Sequence, residues 1–122
     1  MERVQGIGGV FFKCRRPEQL QRWYEKHLGV PLHNGYVLFS AKAKDQTLWA
    51  PFPAKTDYFK PSRAPFIINF RVNNLDRMLA QLRKAKCKVD AKVEASEFGR
   101  FGWVMDPEGN RVELWEPPKR KR

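Results

Sequence analysis

The most regular alternation of apolar and polar positions lies at residues 66–72. Phe66, Ile68, Phe70 and Val72 share one parity, and Ile67, Asn69 and Arg71 share the other. A period of two predicts a β-strand with one apolar face. The period then lengthens. Leu75, Met78, Leu79 and Leu82 mark the buried stripe of a helix that ends near Ala85, and Asn73 or Asn74 can cap its start. Residues 89–93 predict a short strand and residues 96–100 a turn. An apolar run at 101–105 and an alternating one at 111–115 then flank Asp106-Pro107-Glu108-Gly109-Asn110. Proline sets φ for a turn, glycine supplies positive φ, and Asp and Asn can bond their own backbone, so the whole predicts a β-hairpin. On its second strand Val112 and Leu114 point one way, while Arg111, Glu113 and Trp115 point the other.

The first half of the chain repeats this grammar. Residues 10–14 predict a strand with Val10, Phe12 and Cys14 on one face and Gly9, Phe11 and Lys13 on the other. Pro17 suits a first helical turn, and Leu20, Trp23, Tyr24, His27 and Leu28 recur at helical spacing. Gly29 is a C-cap candidate and Pro31 bars continuation. Asn34-Gly35 marks a turn, and residues 36–40 and 47–52 predict two further strands. Residues 53–65 are rich in proline, lysine and aromatics and follow no period. They predict a long crossing loop, which in a compact domain covers a site or links two halves.

The correspondence extends to residues. Leu48-Trp49-Ala50-Pro51 mirrors Leu114-Trp115-Glu116-Pro117, and Phe12-Lys13-Cys14 mirrors Phe70-Arg71-Val72. The chain therefore reads as one supersecondary unit used twice, with a pseudo-two-fold relation. Units of this kind place their helices on one face of the sheet, against the apolar strand faces. The second face carries Gly9, Phe11, Lys13, Thr47, Trp49, Ile67, Asn69, Arg71, Arg111, Glu113 and Trp115. Aromatics mixed with charges are costly in a dry core and suit an open, wet, aromatic-walled groove.

Composition adds bounds. With 122 residues, 42% hydrophobic and 30% charged, the chain predicts one soluble globular domain. No apolar run approaches the roughly 20 residues of a membrane span, and the start of the chain lacks a signal-peptide core, so a cytoplasmic location is expected. Cys14 and Cys87 have no metal-type spacing and read as reduced core thiols. The net charge of +11 favours anionic partners, but it is spread along the chain; its clearest cluster is Lys119-Arg120-Lys121-Arg122, expected to be a basic tail.

Three stretches together carry a family resemblance: Gly6-Ile7-Gly8-Gly9-Val10-Phe11-Phe12, Trp23-Tyr24 with His27-Leu28-Gly29, and Asp106-Pro107-Glu108-Gly109-Asn110-Arg111-Val112-Glu113-Leu114-Trp115. With the repeat, the chain resembles the vicinal oxygen chelate superfamily of glyoxalase I-like enzymes, bleomycin-resistance proteins and extradiol dioxygenases. The resemblance implies an α+β fold of two tandem βαβββ modules forming a cupped mixed sheet with helices outside. It places one glyoxalase-like domain at 1–118, with module one at about 1–52, the crossing loop at 53–65 and module two at 66–118. It also implies a homodimer.

Enzymes of the family hold a divalent metal from strand positions in both modules. By the motif and the repeat these fall on Gly9, Thr47, Ile67 and Glu113 in this chain. Only Glu113 is retained as a ligand, so no metal and no other cofactor is expected. Lys86 stands where Gly29 stands in the first module, which predicts a non-glycine residue at positive φ.

The leading functional expectation is a bleomycin-resistance-like protein that binds a small aromatic or anionic molecule in the sheet groove without a metal. Phe11, Lys13, Trp49, Asn69, Arg71, Arg111 and Trp115 would line it, and Glu113 would be the one candidate catalytic side chain. One alternative is a metal-dependent lyase, isomerase or dioxygenase with Glu113 as ligand or general base. Another is a basic module that binds nucleic acid or protein through its surface and tail. No membrane partner is expected.

Overall fold

The computed structural model describes residues 1–3, 10–40, 42 and 45–119. Its elements run α1 (Pro17–Leu28), β1 (Ile68–Arg71), α2 (Leu75–Lys84), β2 (Lys88–Val89), β3 (Glu94–Ser96), β4 (Gly99–Met105) and β5 (Arg111–Glu116). The sheet is mixed, in the order β1-β5-β4-β2, with β3 paired to β4. β1 runs parallel to β5, placing Asn69 beside Glu113 and Arg71 beside Trp115. β4 runs antiparallel to β5, so Trp103 faces Glu113 and Val104 faces Val112.

Local chemistry sets these elements. Pro17 opens α1, and Gly29 closes it at φ 67° with its N–H donating to the Tyr24 carbonyl. The Asn74 side chain caps α2 by accepting from the Arg77 N–H, and the Glu116 carboxylate accepts from the Leu75 N–H at 2.8 Å. Lys86 follows α2 at φ 63°, the positive value expected for it. Between β4 and β5, Gly109 turns at φ 81°. In that turn the Asp106 carboxylate accepts from the Glu108 N–H, the Asn110 N–H and the Asn110 side chain.

Both helices lie on one face of the sheet. Leu20, Tyr24 and Val30 join Leu75, Leu79 and Leu82 over Val104, Val112 and Leu114 in the buried core. Gly102 lets α2 approach closely: a Cβ there would stand 3.1 Å from both Leu79 methyls. The hairpin turn also anchors α1. The Tyr24 hydroxyl donates to Asp106 Oδ2 at 2.7 Å, and the Arg15 and Arg16 N–H groups donate to Glu108 at 2.6 and 2.8 Å. Cys14 and Cys87 are free thiols packed against this core.

The second module follows the predicted order with shifted bounds. The strand expected at 66–72 is the shorter β1. The one expected at 89–93 keeps only Val89, at the end of β2; Asp90 Oδ1 takes the Lys92 N–H in a turn, and β3 starts beyond it at Glu94. The turn placed at 96–100 narrows, its ends pairing as β3 and β4. The first module differs more. Its helix forms, but among the described residues, 10–14, 36–40 and 47–52 join no ladder beyond the isolated His33–Tyr36 bridge. Alternation predicts a strand only where a neighbouring edge accepts its backbone. Without one, Phe11 stands 100% exposed and Trp49 75%. Gly9, and the tail beyond Lys119, lie outside the described residues.

Candidate functional site

The face opposite the helices is built by parity. β1 contributes Asn69 and Arg71, β4 contributes Phe101 and Trp103, and β5 contributes Arg111, Glu113 and Trp115. At its centre Glu113 is buried, with 7% of its surface exposed. Trp103 Nε1 donates to Glu113 Oε1 at 3.0 Å and Asn69 Nδ2 donates to Oε2 at 2.7 Å. The Tyr58 hydroxyl, from the long loop, donates to Oε1 as well. Burial, followed by this bond to Glu113, pushes the Tyr58 hydroxyl well above the ordinary tyrosine range. Tyr58 therefore remains a proton donor at neutral pH.

The loop lies over this face as a strap. The Tyr58 ring packs edge-on to Trp103 and stacks against Phe52. Arg111 holds the strap from beneath: its guanidinium donates to the Lys60 carbonyl at 2.9 Å and lies 4.7 Å from the Trp103 ring centre. It also reaches Asp90 at 3.4 Å, while its Nε is buried with no hydrogen-bond partner. The groove expected to be open and wet is thus closed around Glu113. The reason is a hydroxyl on residue 58 that can satisfy a buried carboxylate.

The remaining candidate side chains scatter. Arg71 donates to the Gln46 carbonyl at 2.7 Å and lies 3.7 Å from Asp45. Trp115 stacks parallel to Phe101 and donates from Nε1 to the Phe98 carbonyl at 2.7 Å. Phe11, Lys13 and Trp49 are exposed on segments outside the sheet. So Asn69, Arg111 and Glu113 come together, Arg71 and Trp115 flank them, and Phe11, Lys13 and Trp49 stand apart. Sequence reasoning missed Trp103 and Tyr58. Hairpin register could have supplied Trp103 as the partner of Glu113; for Tyr58 there was only the aromatic content of the loop.

The residues fit a metal poorly. Both Glu113 oxygens already accept hydrogen bonds, Ile67 is hydrocarbon, and Thr47 offers only a hydroxyl. Among the described residues, no three His, Cys, Asp or Glu gather in a way that could hold an ion.

The sequence model of the Glyoxalase/Bleomycin resistance protein/Dioxygenase superfamily matches residues 7–114. The chain belongs to this superfamily. Among solved structures, a protein of unknown function from Agrobacterium tumefaciens str. C58 is similar at 17% identity and TM-score 0.56, covering 92% of this chain and 98% of that one. TnmS3, an antibiotic binding protein from Streptomyces sp. CB03234, is similar at 19% identity and TM-score 0.51, covering 83% of this chain and 86% of that one. A conserved domain protein is similar at 15% identity and TM-score 0.54, covering 86% and 92%. Among curated proteins no sequence matches significantly. At these identities the structural likenesses speak for the fold alone. No helix among the described residues is long and apolar enough to cross a membrane.

Proposed function

We propose that this member of the glyoxalase superfamily binds a small planar aromatic molecule, with an anionic substituent, on the sheet face opposite the helices and without a metal. The observation that carries the reading is the state of Glu113. At the one retained family ligand position, the carboxylate is committed to three neutral donors, Tyr58, Asn69 and Trp103. A carboxylate so satisfied gives up hydrogen bonds to take a cation.

Tyr58 marks the ligand's place. Its ring fills the space beside Trp103 and Phe52, and a flat ligand would displace it by swinging the strap. The buried Arg111 Nε supplies an unused donor for an anionic substituent. TnmS3, described as an antibiotic binding protein, is a precedent on this fold for binding an antibiotic. The metal-dependent lyase or dioxygenase reading is weaker for want of ligands. We further propose a homodimer, in which a second copy covers exposed apolar residues such as Phe11, Leu38 and Trp49.

The test is a thermal-shift screen of planar aromatic carboxylates, repeated on Tyr58→Ala. Saturable stabilisation that grows in Tyr58→Ala supports the reading. Stabilisation by divalent cations alone, or by no compound in either protein, sinks it.

A further inference from the structure

A cavity of about 360 Å³ opens on the helix side of the sheet, away from Glu113. It lies where the C-terminal end of α1, the start of α2 and the edge strand β1 meet. Its floor is apolar: Leu28, Val30, Phe39, Phe70 and Leu114 line it. Its volume falls within the roughly 300–1,000 Å³ of small-molecule sites.

One flank is polar, for a helical reason. Leu75, Leu79 and Leu82 turn into the core, which leaves Arg77, Met78 and Gln81 on the next stripe of α2, facing the cavity. The Arg77 guanidinium pairs with no carboxylate and bonds no carbonyl among the described residues. By contrast, Arg100 takes Asp76 on the same helix, and Arg71, which also lines the cavity, is engaged by Gln46 and Asp45. The first-turn N–H groups of Leu75 and Arg77 are already satisfied by Glu116 and Asn74, so the helix end is not the binding group. The available cation at the mouth is the Arg77 side chain, with Asn73 beside it. Phe39 stands 62% exposed against Phe70, leaving apolar surface that an occupant would cover.

We propose that this cavity is a second ligand site, distinct from the strapped face, which takes an amphipathic carboxylate: a hydrocarbon body against Leu28, Phe39 and Phe70, and one anionic head on Arg77. An apolar floor with a single unpaired cation at its rim selects that combination over a neutral hydrocarbon or a free inorganic anion.

The chain has three methionines, Met1, Met78 and Met105, and Met78 alone lines the cavity. The experiment follows their ¹³C-methyl signals in the full chain during titration with decanoate and, separately, decanol, both below micelle formation. The Met78 signal should move saturably with decanoate while Met1 and Met105 stay in place. Arg77→Gln should weaken decanoate binding about tenfold, the worth of one charge-assisted hydrogen bond, and leave decanol unchanged. Arg77→Lys, which keeps the charge, should retain most of the decanoate affinity. An unmoved Met78, equal decanoate affinity in Arg77→Gln, or non-saturating movement of all three methyls overturns the proposal.

Discussion

The Tyr58 hydroxyl donates to the Glu113 carboxylate across 55 residues of chain, and that bond joins the long loop to the centre of the sheet. Tyr58→Phe removes the donor and keeps the ring against Trp103. The expected cost is about 1 kcal/mol, because Trp103 Nε1 still serves the same oxygen. Urea unfolding measures this, and amide exchange across residues 53–65 should quicken at the same time.

Glu113 itself carries more. Glu113→Gln keeps an amide oxygen for the Tyr58 and Trp103 donors only if its NH2 faces Asn69, whose own amide must then turn over to accept. The expected loss is about 1–2 kcal/mol, because bonds to a carboxylate become weaker bonds to a neutral amide. Manganese, nickel or zinc ions should leave the thermal midpoint of the unsubstituted protein unchanged. A midpoint that rises saturably with one of these ions would show that the carboxylate abandons its three donors for the metal.

The Tyr24–Asp106 bond ties α1 to the β4–β5 turn inside the core. Tyr24→Phe should cost about 1 kcal/mol, because the Asn110 side chain still donates to the same Asp106 oxygen. Asp106→Ala should cost more, since the Glu108 and Asn110 N–H groups also lose their acceptor. Circular dichroism during urea unfolding separates the two, and the larger effect should fall on Asp106→Ala.

Glu108 gives a dependence on acid. The Arg15 and then the Arg16 N–H donate to its carboxylate and hold its pKa below the ordinary glutamate value of 4.5. A lowered folded-state pKa contributes stability that is fully present above the unfolded value. That contribution is lost as pH falls through the folded one. The thermal midpoint should therefore decline as pH drops below about 4.5, and Glu108→Gln should flatten that part of the acid limb. An unchanged acid limb in the variant would remove Glu108 from its cause.

Much of the fold was legible because its signals are local. Leu75, Met78, Leu79 and Leu82 mark α2, Gly29 ends α1, and the turn residues Asp106 to Asn110 place the last hairpin; each states its own backbone requirement within a few positions. Parity likewise puts Asn69, Arg111 and Glu113 on one face, because side chains on a strand must alternate.

What the tertiary structure decided is which groups meet. No local pattern distinguishes Tyr58 from other aromatics of its loop, nor shows that Glu113 will be satisfied by neutral donors. Both follow from a strap crossing the sheet where one carboxylate needs partners. The same cause explains residues 10–14 and 47–52. Their alternation promised strands, but a ladder needs a second backbone at hydrogen-bonding distance, and sequence period alone does not supply one.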